Sequence, residues 1–398
     1  MKLLFVVSED WYFRSHRIPI ALAALKAGWD VRLGAQVSDA ASEIEGAGIR
    51  LHSLPLRRGS LNPLSDLGYL IRLCRLYRRE RPDVVHHVAM KPVLYGSIAA
   101  RLAGVPCVVN ALAGMGYLST AQRPHVRLIR RLVLFCFRTL FNRPRSILIV
   151  QNKDDREVFE RRGVAADRIR LIRGSGVDLD MFSPSPARTD HPTVTALMAA
   201  RLLRDKGVIE YVEAARILRA RNVPVRLALA GAPDAANPDA VPQSLLDAAQ
   251  AAGDVDVLGA RSDIGVLYRE ADIAVLPSYR EGLPKSLIEA AACGLPIVTT
   301  DVIGCRETVG RLREDPPITP VVANKKMMRG ENGILVPPRD AETLADAIEF
   351  LVRHPDVRAD MGRASRAKAE REFGIEQVVG QTMAVYNELC LVADSGRR

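Results

Sequence analysis

The apolar residues of the chain fall into short runs, and segments with helical spacing separate one run from the next. In the first half, "LLFVV" (3–7) and "DVVHHVA" (83–89) are such runs, and the segments between runs are roughly 10 to 20 residues long. Strands that alternate with helices of this length predict parallel βαβ units. We therefore expect the first half to form a doubly wound parallel sheet.

The same alternation begins again at "TVTALMAA" (193–200) and continues through "IAVLPS" (273–278) and "PIVTT" (296–300). Between the two series, "RGSGVDLDMFSPSPARTDHP" is rich in Gly, Ser, Pro and Asp, which is typical of a linker. The pattern predicts two Rossmann-like domains in tandem. Their expected bounds are 1–173 for the first domain, 174–192 for the linker, 193–372 for the second domain, and 373–398 for a C-terminal helix that is a candidate to pack back on the first domain.

Composition agrees with a two-domain globular protein. The chain has 398 residues, of which 48% are apolar and 26% charged, so it exceeds the size of one ordinary core. The apolar start "LLFVV" ends at Ser8, which is too short for a signal peptide or a transmembrane helix, and a cytoplasmic location is expected. The six cysteines form no C-x-x-C pair, and we expect buried, reduced thiols.

Positive charge is concentrated in the first half. Residues 1–190 hold 30 Lys and Arg against 17 Asp and Glu, a net of +13, whereas residues 191–398 hold 26 against 29, a net of −3, which together give the +10 of the whole chain. This imbalance predicts that the first half faces an anionic partner, such as a phosphorylated ligand, a membrane surface or nucleic acid. The chain has no recognised nucleic-acid module, so no nucleic acid is expected as a partner.

Two common nucleotide-binding motifs are missing from the sequence. Gly114-Met115-Gly116 and Gly174-Ser175-Gly176 are lone G-x-G pairs, and there is neither a G-x-G-x-x-G nor a G-x-x-x-x-G-K-[ST]. A dinucleotide oxidoreductase and a P-loop NTPase are therefore disfavoured.

Candidate binding residues follow the first strand of the second series. "ARLLRDKG" places Arg201 and Lys206 in the turn at the carboxyl end of that strand, beside a helix predicted to begin near Gly207. Two cations at a helix N-terminus suit a diphosphate. The same residues could instead form an ordinary solvated loop.

A second candidate set lies in "EGLPKSLIEAAACG". Glu281 falls in the loop after a strand, Pro284 is predicted as the first residue of a helix over 284–293, and Glu289 follows within that helix. Gly282 and Leu283 lie at the mouth of the helix, where backbone N–H groups can meet a ligand. A carboxylate at position 289 requires either ligand hydroxyls or a paired cation in the core.

Taken together, these segments resemble the retaining family-4 glycosyltransferases, which have GT-B architecture. The resemblance rests on "ARLLRDKG", on the two glutamates of "EGLPKSLIE" separated by seven residues, and on "SGVDLDMF". With "SEDWYFRSHRIPIALAALKAGWDV" and "KPVLYGSIAARLAGVPCVVNALAGMGYL", the chain resembles the branch that builds capsules, exopolysaccharides and O-antigens on lipid carriers.

The resemblance implies a role for each candidate residue. Glu289 would hold the ribose of a UDP-sugar, Arg201 and Lys206 its diphosphate, and Glu281 would lie along the sugar as a catalytic residue. The remaining donor-side positions would be Gly282, Leu283, Pro284 and, near the base, Arg261, with Gly114 and Gly116 on the acceptor side. The resemblance further implies transfer with retention, without a protein nucleophile, metal or other cofactor.

Two features depart from the family pattern. Many relatives carry a histidine where this chain has Ala113, which leaves His16, expected on the loop or first helical turn after the first strand, as the candidate catalytic histidine. The segment 311–330 is longer than the usual connector, and we predict a surface loop there.

The basic segment 123–145 carries seven arginines and no acidic residue among many apolar ones. It is predicted to be a helix that packs on the first domain, lies on an anionic bilayer, or does both. With the basic first half, it suits a polyprenyl-diphosphate-linked saccharide as acceptor and a peripheral position on the inner face of the cytoplasmic membrane. Two alternatives stay open, a non-hydrolysing UDP-sugar epimerase and a non-catalytic nucleotide-sugar-binding protein.

Overall fold

The computed structural model describes residues 1–56, 62–112, 124–185, 193–234, 237, 239–312 and 327–395, except for the side chains of 124–132 and 392–395. The chain divides into two units. The first consists of residues 1–176 and 375–398, and the second of residues 177–374.

The first unit contains a seven-stranded sheet in the order β3-β2-β1-β4-β5-β6-β7. Neighbouring strands pair in parallel. The strands are β1 (Lys2–Glu9), β2 (Asp30–Gln36), β3 (Arg50–Ser53), β4 (Val84–Val88), β5 (Cys107–Leu112), β6 (Ser146–Val150) and β7 (Ile169–Leu171). This arrangement confirms the predicted doubly wound sheet.

Helices cover both faces of this sheet. They are α1 (Asp10–His16), α2 (Ile18–Lys26), α3 (Ala41–Gly46), α4 (Pro63–Glu80), α5 (Met90–Ala103), α6 (Pro124–Phe141) and α7 (Lys153–Arg161). The apolar pattern had not indicated α7, because most of its residues are charged. Its start is fixed by a side-chain cap, in which the Asn152 amide oxygen accepts a hydrogen bond of 2.7 Å from the Asp155 amide.

The second unit repeats the architecture, with the strand order β10-β9-β8-β11-β12-β14-β13. Its strands are β8 (Val194–Ala199), β9 (Val225–Ala230), β10 (Asp256–Gly259), β11 (Ile273–Leu276), β12 (Ile297–Thr300), β13 (Met328–Arg329) and β14 (Gly333–Val336). All pair in parallel except the edge strand β13, which is antiparallel to β14. The prediction of a surface loop over 311–330 is therefore wrong at its end, and residues 313–326 lie outside the described part of the chain.

The helices of the second unit again lie on both faces of its sheet. They are α8 (Val208–Ala220), α9 (Gln243–Ala251), α10 (Ile264–Glu270), α11 (Lys285–Ala292), α12 (Cys305–Thr308), α13 (Ala341–Arg353) and α14 (Pro355–Glu372). The larger of the two apolar clusters contains α8 and α13, and the smaller one contains residues of α10 and α11.

The boundary between the units falls between Gly176 and Val177, inside the segment predicted as a linker. The Val177 amide donates a hydrogen bond of 2.9 Å to the carbonyl of Phe373 within the second unit. The last helix, α15 (Ile375–Ser395), belongs to the first unit. There the Tyr386 hydroxyl lies 2.5 Å from Nδ1 of His86, in the core.

The cysteines differ in exposure. All six are free thiols, and three are buried, but Cys136 is exposed, contrary to the expectation of buried thiols. It follows Phe135 on the outward face of α6, where Phe135 is 67% exposed. Within the residues that the structure describes, no helix is long and apolar enough to cross a membrane.

Candidate active site

Three loops meet at the carboxyl edge of the second sheet. They follow β8, β11 and β12, which are adjacent strands, so the loops lie side by side. Two glycines with left-handed backbone allow the close approach. A Cβ on Gly207 (φ +78°) would overlap the carbonyl oxygen of Pro277, and one on Gly304 (φ +86°) would overlap that of Glu281.

The first functional contact at this edge is an ion pair between Lys206 and Glu281. Their side chains are only 16% and 15% exposed, respectively. The family resemblance implied separate roles for these two residues, which are 75 positions apart in the sequence. The fold brings the candidate diphosphate cation into contact with the candidate catalytic carboxylate.

Arg201 is placed differently from Lys206. Its side chain is 47% exposed, and Nη1 lies 3.3 Å from Oδ2 of Asp234 in the loop after β9. The helix that follows begins at Val208, as predicted, with Gly207 as its N-cap and a short 3-10 turn over Arg204–Lys206. Arg201 therefore presents a solvent-accessible guanidinium, whereas Lys206 presents a largely enclosed ammonium group.

The second helix at this edge, α11, begins one residue later than predicted. Pro284 has φ −71° and ψ 115°, which is extended backbone, so it is the N-cap rather than the first helical residue. The helix consists of Lys285–Ala292, and Gly294 follows in left-handed conformation (φ +72°). Gly282, Leu283 and Pro284 are all buried at the mouth of the helix.

Glu289 lies one turn into α11 with its side chain 13% exposed. The Lys285 Nζ lies 3.5 Å from its Oε1. Burial raises the pKa of Glu289, and the nearby Lys285 ammonium group partly opposes that rise. Lys285 is not among the predicted site residues, although its spacing of four residues from Glu289 indicates an ion pair on one helix face.

Two further groups lie near this helix. Burial raises the pKa of Tyr268 on α10 far above its ordinary value, and the Glu289 carboxylate adds to the effect. Arg261, the candidate base-contacting residue, is exposed and pairs in a bidentate way with Asp263, with distances of 2.7 and 2.5 Å. Its role at the base stays a prediction.

His16 lies in the first unit, at the end of α1 and not in its first turn as predicted. The reason is that β1 extends to Glu9 and the helix begins immediately at Asp10. The His16 ring stacks on Tyr12 at 4.2 Å between centroids, and its Nδ1 lies 3.2 Å from the Tyr12 carbonyl oxygen. The acceptor-side candidates Gly114 and Gly116, like Ala113, lie outside the described residues.

The arrangement suits a nucleoside diphosphate better than a metal ion. Two cations and a helix N-terminus lie at one sheet edge, together with a carboxylate whose charged form is disfavoured by burial. Among the described residues, no group of three or more His, Cys, Asp or Glu side chains could hold a metal ion. Charge stabilisation by fixed cations is the chemistry that these residues offer.

Both halves of the chain match known protein families. The model "Glycosyl transferase 4-like" matches residues 2–152, and the model "Glycosyl transferases group 1" matches residues 184–368. The second match contains all of the candidate donor-side residues.

Characterised relatives are similar over most of the chain. An N,N'-diacetylbacillosaminyl-diphospho-undecaprenol alpha-1,3-N-acetylgalactosaminyltransferase of Campylobacter jejuni is 26% identical over 87% of this chain and 88% of its own length. A UDP-Gal:alpha-D-GlcNAc-diphosphoundecaprenol alpha-1,3-galactosyltransferase of Escherichia coli is 27% identical over 69% of this chain and 72% of its own.

Solved structures show the same fold. Anabaena Alr3699/HepE in complex with UDP-glucose aligns with a TM-score of 0.74 and 20% identity over 98% of this chain and 100% of its own. WaaG, a glycosyltransferase involved in lipopolysaccharide biosynthesis, aligns with a TM-score of 0.69 and 16% identity over 96% and 98% of the two chains. Two parallel-sheet domains of GT-B type are thus common to all three chains.

Proposed function

This chain belongs to the family-4 glycosyltransferases, and from that membership we propose that it moves a hexose or N-acetylhexosamine from a UDP-sugar to a saccharide on a polyprenyl diphosphate. The characterised relatives named above act on diphospho-undecaprenol-linked sugars, which supports this acceptor class. The reaction would be a step in the synthesis of a surface polysaccharide.

The observation that carries the proposal is the convergence of Lys206, Glu281 and Glu289 at one sheet edge. In the proposed complex, Lys206 and Arg201 bind the diphosphate, and Glu289 accepts hydrogen bonds from the ribose hydroxyls. Glu281 and the backbone of Gly282–Pro284 then lie along the sugar. The protein's main task is to stabilise the charge that develops on the departing UDP.

Transfer with retention needs no protein nucleophile in this scheme. The bond between the anomeric carbon and the diphosphate oxygen breaks, and the acceptor oxygen bonds to the same face of that carbon. The acceptor proton passes to the departing diphosphate oxygen, so charge and atoms balance. Lys206 neutralises that oxygen, while Glu281 faces the positive charge that develops on the sugar ring.

The ion pair between Lys206 and Glu281 suits this task. Before the donor binds, each partner neutralises the other, which limits the penalty of holding two charges with little exposure. When the diphosphate arrives, Lys206 can contact it without a large movement. The site is therefore arranged in advance for the charges of the transition state.

For the acceptor side, we propose peripheral binding to the cytoplasmic face of the membrane through the basic first unit. In α6, Phe135 is 67% exposed while Phe137 and Phe141 are buried. One face of the helix thus anchors it to the core, and the opposite face offers an aromatic ring and Arg138 to the surroundings. Such a mixed surface suits an anionic bilayer.

The decisive experiment is an assay of the purified protein with labelled UDP-sugars and a polyprenyl-diphosphate-linked saccharide. Formation of a longer lipid-linked saccharide with α linkage from an α-linked donor supports the proposal. Donor binding without transfer to any acceptor would indicate a non-catalytic binding protein. Interconversion of the UDP-sugar without acceptor would indicate an epimerase.

His16 can be tested in the same assay. As a catalytic residue of the first unit, it is expected to affect turnover rather than donor affinity. His16→Ala should lower kcat by about 10- to 100-fold and leave the Kd for UDP unchanged. A wild-type kcat in this variant would restrict His16 to its packing contact with Tyr12.

A further inference from the structure

The structure assigns Tyr279, together with Glu210 and Arg339, as the positioning group for the Lys206–Glu281 pair. This inference rests on the proposed transfer function and extends it to residues outside the donor site. Tyr279 lies in the loop after β11, two positions before Glu281, and it contacts two other loops or helices of the second unit.

The backbone around Tyr279 joins the two loops that carry the pair. The Tyr279 amide donates a hydrogen bond of 2.8 Å to the carbonyl of Asp205, and the Ser278 hydroxyl donates one of 2.9 Å to the same oxygen. Asp205 directly precedes Lys206. Tyr279 is thus joined by a hydrogen bond to the residue before Lys206 and by two peptide bonds to Glu281, so its position bears on the distance between Lys206 and Glu281.

The Tyr279 side chain is fixed at its hydroxyl by Glu210. The hydroxyl donates a hydrogen bond of 2.5 Å to Oε1 of Glu210, which lies in the first turn of α8. Glu210 is 8% exposed, and its Oε2 is buried with no hydrogen-bond partner among the described residues. A leucine at position 210 would avoid the destabilising burial of an unpaired carboxylate oxygen. The carboxylate is therefore better explained by its hydrogen bond to Tyr279.

Arg339 holds the Tyr279 ring from the loop after β14. Its guanidinium carbon lies 4.7 Å from the ring centroid, and its backbone is left-handed (φ +62°). A left-handed backbone destabilises a non-glycine residue by about 1–2 kcal/mol, whereas an exposed cation–π contact contributes only about 0.5–1 kcal/mol. Strained residues of this kind concentrate at functional sites, where the surrounding structure holds them in place.

Glu210 and Arg339 thus hold the Tyr279 side chain from two sides. Burial and then the hydrogen bond to Glu210 raise the pKa of Tyr279, so its hydroxyl stays a donor throughout the pH range of an enzyme assay. The reacting groups depend on this segment because a displacement of about 1 Å in a catalytic group can lower the rate about 100-fold.

The test compares kcat, the Kd for UDP and Tm in single variants of the full chain. Tyr279→Phe, which keeps the ring and removes the hydroxyl, should lower kcat by about 10- to 100-fold and raise the Kd for UDP by a clearly smaller factor, since Lys206 also contacts the diphosphate in the proposed complex. Glu210→Leu should match it, and the double variant should be no worse than either single one. Glu210→Gln keeps an acceptor for the hydroxyl and should retain kcat within about threefold.

Arg339→Gly distinguishes a loss of kcat caused by misplacement of Tyr279 from one caused by a less stable fold. It relieves the left-handed strain, so Tm should stay equal or rise while kcat falls. The matched control is Arg81→Gly, at another left-handed arginine (φ +46°) in the first unit, which should change stability in the same direction and leave kcat unaltered. A fall in Tm that accompanies each loss of kcat would overturn the assignment, as would a wild-type kcat in Tyr279→Phe.

The wild-type protein separates this inference from the function itself. If the wild type transfers no sugar, the proposed function fails and the positioning role fails with it. If the wild type transfers sugar and Tyr279→Phe does so at the same rate, only the positioning role fails.

Discussion

Replacing Glu289 with glutamine tests the donor site most directly. In the structure this carboxylate is 13% exposed, and its nearest cation, the Lys285 ammonium group, is 3.5 Å away. Burial raises its pKa, which means that the ionised form is held at an energetic disadvantage. We infer that ribose hydroxyls donate hydrogen bonds to this carboxylate when the donor binds.

The expected loss follows from those hydrogen bonds. A bond to a charged acceptor contributes about 1.5–3 kcal/mol, and glutamine keeps an acceptor oxygen but not the charge. Glu289→Gln should therefore weaken binding of UDP by about 1–3 kcal/mol, which is about 5- to 150-fold in Kd. The free protein should not lose stability, because the substitution removes a buried charge.

The pH dependence has a definite sign. The ionised carboxylate binds hydroxyl donors better than the protonated acid, so UDP affinity should rise as pH rises through the raised pKa of Glu289. The stability of the free protein should change in the opposite direction. Its contribution from Glu289 is complete below the unfolded-state pKa and is lost as pH rises through the folded-state pKa. Glu289→Gln should remove both trends.

Isothermal titration of UDP across a pH series provides the measurement, with thermal unfolding of the same samples. Lys285→Met should move the inflection in affinity to higher pH, since it removes the cation that opposes the pKa rise. Glu213→Gln, at an exposed position of α8, is the matched control and should leave affinity and its pH profile unchanged. Unaltered UDP affinity in Glu289→Gln, or an unaltered pH profile, would refute the ribose-binding role.

Three further predictions concern the neighbouring loops and the membrane. Lys206→Ala should lower kcat by about 100- to 1000-fold at saturating UDP-sugar. Arg201→Ala should lower kcat by less, because the Arg201 side chain is 47% exposed. Equal losses of kcat in steady-state assays would argue against separate roles for the two cations. Gly207→Ala should lower the free energy of unfolding by more than about 2 kcal/mol in denaturant titrations, because the added Cβ would overlap the Pro277 carbonyl. Gly253→Ala is the control: its backbone is also left-handed but no atom lies near the added Cβ, so the loss should be about 1 kcal/mol. Phe135→Ser should reduce sedimentation with anionic vesicles severalfold, and unchanged sedimentation would exclude α6 as the contact.

The alternation of apolar runs was sufficient to predict both sheets, because strands of a doubly wound sheet are buried on both faces and read as continuous apolar segments. It failed for α7 (Lys153–Arg161), whose sequence "KDDREVFER" has few apolar residues. That helix is positioned by its Asn152 cap and by Phe159, which is buried in the core. It also failed for the edge strand Met328–Arg329, since a two-residue strand carries no period.

The candidate site was predictable wherever a residue directly follows a strand. Lys206 and Glu281 could be placed at the carboxyl edge for that reason, but their ion pair could not, because the pairing depends on which strands are neighbours. The contact of Arg339 with Tyr279 depends on the same strand order and on a left-handed backbone that no arginine motif indicates. The sequence shows which residues each loop contains, whereas the strand order determines which residues of different loops contact each other.

Two different electrostatic arrangements lie at one sheet edge, and each suits a different part of the proposed reaction. Lys206 and Glu281 neutralise each other before the donor arrives, so this part of the site is charged but balanced. The Glu289 side chain is only 13% exposed, and the cation at 3.5 Å only partly opposes the rise of its pKa, so burial disfavours the charged form of this carboxylate. Under the proposed function, ribose hydroxyls would therefore gain binding energy at Glu289, while the balanced pair would stay ready for the charges that appear only as the glycosidic bond breaks.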